Sequence, residues 1–168
     1  MHKLRCLAIS IFCLLIASQA MAVSELDADR KEAIIFLKEQ KKITGEVDEI
    51  GLVSLWQQMG GIKTLIFLKS KGALSKEMDK ELAVRVALLP KNLNKAIDHS
   101  DPVVQSLARL LRINGKFAEK SMDRRIDYYD YSDVASYTIE HGRVLAEMVE
   151  AKYGKGKKII KPQPQATW

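Results

Sequence analysis

The stretch DPVVQSLARLLRING, Asp101 to Gly115, decides the fold class of this chain. Asp101 is a helix cap, and Pro102 suits the first helical position because its missing N–H would have no partner there. Val103, Val104, Leu107, Leu110 and Leu111 then form one apolar stripe at helical spacing, with Arg109 and Arg112 off it. Asn114-Gly115 reads as the stop, since both residues tolerate the left-handed conformation that closes helices.

The same grammar extends in both directions. Downstream, Lys116 to Tyr131 reads as helix. Ser132-Asp133 then caps a long last helix through Val134, Tyr137, Val144, Leu145, Met148 and Tyr153, closed by Gly154. Upstream, Lys91 to Ile97 reads as a short helix after Pro90. Ser75 opens another, with Glu77 and Asp79 in a first turn where negative charge suits the dipole, followed by Leu82, Val84, Val86, Leu88 and Leu89. Glu46 to Ser70 is the most hydrophobic segment, ended by Gly72. Gly60-Gly61 predicts a break or kink in its middle, hence a buried helix pair. A membrane hairpin is disfavoured there because Gln57, Gln58, Lys63 and Thr64 interrupt the apolar run. Earlier still, Ser24 caps a first helix, with Asp27 at the capping-box distance and Gly45 at the close.

No segment alternates with period two, and no Asn-Gly or Asp-Gly turn sits between strand-like runs. The expectation is all-α: a compact bundle of about six to seven helices forming one domain over residues 23–153. Residues 82–114, with two helices joined at Asp101-Pro102-Val103-Val104, resemble a single HEAT-type helical hairpin. Neighbouring segments do not repeat it, and a solenoid needs several stacked units, so the resemblance carries no function.

The N-terminus carries an address. Lys3 and Arg5 precede the apolar run LAISIFCLLIA (residues 7–17), and Ala20-Met21-Ala22 offers small residues for cleavage, the three-part pattern of a secretory signal peptide over residues 1–22. The run is too short to span a bilayer. Both cysteines, Cys6 and Cys13, fall inside the signal segment 1–22, so a mature chain starting at Val23 has no thiol, disulfide or cysteine ligand. With no Asn-x-Ser/Thr acceptor either, the reading favours a bacterial periplasm.

Charge narrows the partners. The 168-residue chain carries 27 Lys+Arg against 21 Asp+Glu. Residues 23–150 hold 20 basic and 21 acidic residues, a net of −1; the excess sits in the signal and in a tail, residues 154–168, that follows Lys152. The body is no basic nucleic-acid module, and nucleic acid is not an expected partner. The tail, GKGKKIIKPQPQATW, reads as flexible. Lys155, Lys157 and Lys158 could steer the protein to anionic lipid, cell wall or an acidic partner, with Trp168 as an aromatic anchor.

The densest unusual patch is Arg124-Arg125-Ile126-Asp127-Tyr128-Tyr129-Asp130-Tyr131-Ser132-Asp133. Tyrosine couples a large apolar face to a hydroxyl, as protein interfaces favour. On a helix Tyr128 and Tyr131 would share a face, beside an acidic stripe of Asp127, Asp130 and Asp133. His99, in Asp98-His99-Ser100-Asp101, reads as part of a capping turn. A metal site would need His99 and His141 to meet beside a carboxylate, and no catalytic residue, metal or cofactor is expected. Glu49 and Glu140 are the acids in the most apolar surroundings.

These readings converge on a periplasmic helical protein that binds another protein, as an inhibitor or immunity protein or as an accessory factor of envelope or secretion machinery. The expected contacts are Asp127, Tyr128, Tyr129, Asp130 and Tyr131, with the lysine tail steering. The alternatives are a small peptidoglycan hydrolase and a membrane-surface module using the tail.

Overall fold

The computed structural model describes Lys31 and residues 45–154. The signal segment, the helix expected from Ser24, and the tail with Lys155, Lys157, Lys158 and Trp168 lie outside them. The described residues form five helices and no strand: α1 (Glu49–Ser70), α2 (Lys76–Leu88), α3 (Asn94–Ile97), α4 (Pro102–Met122) and α5 (Tyr128–Tyr153). No helix among them is long and apolar enough to cross a membrane.

Local chemistry sets most helix ends. Asp48, Ser75 and Asp101 cap α1, α2 and α4, each side chain accepting from a backbone N–H of the first turn. α1 stops where Gly72 turns left-handed at φ 68°, so that the N–H groups of Gly72 and Ala73 reach back to the carbonyls of Lys69 and Leu68.

α1 is the central helix, packed chiefly on α5, then α4, then α2. Leu52, Met59, Ile62, Leu65 and Leu68 are essentially inaccessible along it. Gly60-Gly61 does not break it; α1 runs unbroken through both glycines. Two glycines cost a helix about 1 kcal/mol each, whereas each buried leucine or isoleucine contributes ~1.5–3 kcal/mol, so burial outweighs propensity.

Two further boundaries differ from the sequence reading. Asn114-Gly115 does not end α4. Both residues are fully buried inside it, and a Cβ on Gly115 would lie 3.1 Å from Leu89 Cβ and 3.3 Å from Pro90 Cδ. The glycine allows the end of α2 to approach α4 closely. α4 stops instead at Asp123-Arg124, with Arg124 left-handed at φ 57° and the N–H groups of Arg124 and Arg125 returning to Ser121 and Lys120. α5 therefore begins at Tyr128, capped by Asp127, four residues before the expected Ser132-Asp133 cap.

α5 lies against both α1 and α4. Gly142 brings it onto α1: a Cβ there would sit 2.6 Å from Trp56 Cδ1. The Trp56 indole N–H donates to the Ile139 carbonyl at 3.1 Å, and Lys63 donates to Ser136 Oγ at 2.9 Å.

Candidate functional site

The turn between α4 and α5 holds the tyrosine-aspartate run. Arg125 pairs with Asp123 at 2.7 Å, and Ile126 packs on the core. Asp127 accepts from the Asp130 N–H at 2.8 Å, so Tyr128, Tyr129 and Tyr131 occupy the first turn of a long, rigid helix.

The three tyrosines have different fates. Tyr131 faces the core and is fully buried, which withdraws it from any surface contact. Its hydroxyl has no hydrogen-bond partner among the described residues, and burial pushes its ionisation far above the ordinary phenol value. Tyr128 is half-buried, its ring 5.2 Å from that of Phe67 at the end of α1. Burial raises its pKa, partly opposed by a hydrogen bond with Ser132. Tyr129 is 69 % exposed, and its ring meets Tyr128 edge-on at 5.7 Å.

Phe67 and Tyr128, both half-buried, and the exposed Tyr129 thus form an aromatic ladder that leads out to solvent. Asp127, Asp130 and Asp133 stand exposed beside it, where the N-terminal dipole of α5 favours their negative charge. Tyr128 and Tyr131, three residues apart, lie about 60° apart on the inward side of α5, Tyr131 fully buried with Ala135 and Thr138 and Tyr128 half-buried against the core. The arrangement presents one pre-positioned aromatic side chain in a ring of carboxylates.

A second polar cluster sits where α1 and α4 begin and α5 ends. Asp101 is its hub, 8 % exposed. It accepts from the Val103 N–H at 2.9 Å, from Lys152 Nζ at 2.7 Å and from Tyr153 OH at 2.8 Å. The Lys152 hydrogen bond leads in holding its carboxyl well below the usual range, reinforced by Val103 and Tyr153. The same bond raises the Lys152 pKa.

His99 stands beside this hub, its ring edge-on to Tyr153 at 6.1 Å. Its Nδ1 accepts from the Asp101 N–H at 3.0 Å, so Nε2 carries the proton and donates to Glu49 Oε1 at 3.2 Å. A recess of about 270 Å³ opens here, edged by Glu46, Lys95 and His99, with Glu46 and Lys95 ion-paired. With both imidazole nitrogens engaged, His99 ties the starts of α1 and α4 together and offers no free base.

His141 belongs elsewhere. It is exposed and stacked on Tyr137 with ring centroids 3.9 Å apart. It lies twelve residues before Tyr153 on α5, or roughly 18 Å at 1.5 Å per residue, so the two histidines share no site. Among the described residues no group of three or more His, Cys, Asp or Glu side chains is placed to hold a metal ion. Glu140 is exposed on α5.

The Asp101–Lys152–Tyr153 hub escaped the sequence reading. Asp101 was legible as a cap, but nothing in the spacing announces that residues fifty positions later close onto it. Comparisons with protein-family models, with curated proteins and with solved structures return no match.

Proposed function

We propose that the chain is an exported, periplasmic helical binding protein that holds a partner protein at the corner between α4 and α5, as an inhibitor or as an accessory factor of envelope machinery. The observation that carries this is Tyr129. It is the most exposed large hydrophobic side chain among the described residues, yet its ring is supported by Tyr128, which rests on Phe67. Rigid aromatic anchors that lose little entropy on binding are the side chains on which interfaces concentrate their energy. Asp127, Asp130 and Asp133 around it favour a partner with basic residues around an apolar pocket. The pattern of residues 1–22 supports export and the periplasmic location.

The test is site-specific photocrosslinking in the source cells, with the photoreactive residue at 129 or, as control, at Val84 on α2. The expected result is a discrete adduct from 129 alone, lost when Asp127 and Asp130 are changed to Lys in the same molecule. No adduct from 129, or equal adducts from both positions, refutes the reading.

A further inference from the structure

Six large hydrophobic side chains stand out from the described surface, and four of them (Ile113, Tyr137, Val144 and Met148, each about half exposed) lie on one face. Along α5, Val134, Tyr137, His141, Val144 and Met148 follow at intervals of three and four, the spacing of a helix that packs lengthwise on another helix. This row is not used inside the described fold. α1 meets α5 on the flank of Ser136 and Ile139, through Lys63 and Trp56. α4 meets α5 through Leu110, whose Cδ2 lies 3.5 Å from where a Cβ on Gly142 would be.

These contacts fix how α4 and α5 are rotated against each other. At 100° per residue, Leu110, Ile113 and Phe117 of α4 and the row on α5 share the outer face of the pair. Continuing around α4, away from α5, come Arg109, Lys116 and Lys120, all exposed. Continuing around α5, away from α4, come Asp133, Glu140 and Glu147, also exposed. The face is therefore a strip of three bands: basic along one edge, apolar in the middle, acidic along the other.

We propose that this face binds a second copy of the chain, in a two-fold dimer whose axis runs parallel to α4 and α5. That operation sets α4 of each copy over α5 of the other, so each basic edge meets an acidic edge while the apolar bands close on one another. A two-fold axis across the helices would oppose like edges, which is repulsive. The charge pattern also chooses among occupants. An acidic or a basic helix would satisfy one edge only, and an anionic lipid surface would repel the acidic edge; a second copy satisfies both. The near-neutral body, at −1 over residues 23–150, adds little repulsion. Helices about 30 Å long, two abreast at about 10 Å each, give a footprint of about 600 Å² per copy. That lies at the lower end of specific interfaces and fits a reversible, salt-sensitive dimer. The contact does not use Tyr129.

The test is sedimentation velocity of the purified mature chain across micromolar concentrations, at low and high salt. The expected result is a reversible monomer–dimer equilibrium that salt weakens. Val144→Asp should shift it towards monomer by roughly tenfold or more, with helical circular dichroism unchanged. Two charge variants provide the sharper measurement, namely Arg109→Glu/Lys116→Glu/Lys120→Glu and Asp133→Lys/Glu140→Lys/Glu147→Lys. Each alone should be monomeric, and an equal mixture should dimerise. A wild type that stays monomeric throughout, a dimer indifferent to these changes, or apolar-face binding to phosphatidylglycerol vesicles in place of self-association overturns the proposal.

Discussion

Replacing Gly142 with alanine probes the closest approach between α1 and α5. The new Cβ would lie 2.6 Å from Trp56 Cδ1, 2.8 Å from Nε1 and 3.5 Å from Leu110 Cδ2. Carbon atoms in contact normally sit ~3.5–4.0 Å apart, so the indole must retreat by about 1 Å. That movement disrupts its 3.1 Å hydrogen bond to the Ile139 carbonyl. Forced overpacking costs ~1–3 kcal/mol, and the lost hydrogen bond adds ~0.5–1.5 kcal/mol. Against this stands ~1 kcal/mol gained by removing a glycine from a helix interior. The expected outcome is a net loss of about 1–3 kcal/mol, measured by urea unfolding followed at 222 nm. A domain of this size should lose about 4 °C in Tm per kcal/mol. The control is Trp56→Leu, which removes the indole and frees the space. In that background Gly142→Ala should be neutral or stabilising, giving a coupling of about 2 kcal/mol between the two sites. Equal or greater stability of Gly142→Ala beside an intact Trp56 would refute the α1–α5 approach described above.

Three further outcomes follow from single side chains. Arg124→Gly should stabilise by about 1 kcal/mol, because a left-handed conformation costs an L-residue roughly that much and costs glycine almost nothing; thermal unfolding checks it, and a destabilised variant contradicts the turn geometry. Tyr131→Phe should be neutral or stabilising by about 1 kcal/mol, since it removes a fully buried hydroxyl that has no partner among the described residues; a marked loss in urea would reveal a hydrogen bond at that hydroxyl. The Asp101 hub should make stability pH-dependent at both extremes. Its depressed carboxyl means that the unfolded chain protonates first as pH drops below about 4, so stability present at neutral pH is lost in acid. The raised Lys152 contribution is complete below about pH 10 and lost above it. Asp101→Asn should flatten the acid limb of the urea midpoint against pH; an unchanged limb removes Asp101 as its source.

What the sequence announced, and what it concealed, separate along a physical line. The caps at Ser75 and Asp101 work through a side chain and a backbone N–H two or three residues away, so the local pattern is enough. The all-α class is legible for the same reason. Glycine was the misleading residue. Asn114-Gly115 and Gly60-Gly61 have the composition of stops, and burial against other helices holds both pairs inside helices instead. The real stop, Asp123-Arg124, uses an arginine in a conformation that propensity disfavours, so no local signal marked it. The tyrosine run was visible as composition, but its division into one core, one half-buried and one exposed ring depends on where α5 begins. Moving that start from Ser132 to Tyr128 turns the run from the end of one expected helix into the first turn of the next and sends Tyr131 inward.

The rotation of α5 about its own axis governs everything proposed for its surface. A turn of 100° carries one residue's direction to the next, so even a small change would tilt both the outer apolar band and Tyr129. Three contacts set that rotation: Gly142 seated on Trp56 in the middle, Tyr128 on Phe67 at the start, and Lys152 with Tyr153 on Asp101 at the end. The end contact is the most distant from the corner, since Tyr129 and Tyr153 lie 24 residues apart, or about 36 Å. Loosening it with Asp101→Asn should release the last turns of α5, where Met148 and Val144 belong to the outer band, while Tyr128 continues to hold Tyr129. Weakened self-association with unchanged crosslinking from position 129 is therefore the expected pair of results. Loss of both together would mean that the two surfaces act as one, because a helix held independently at its start has no reason to lose its first turn when its last is freed.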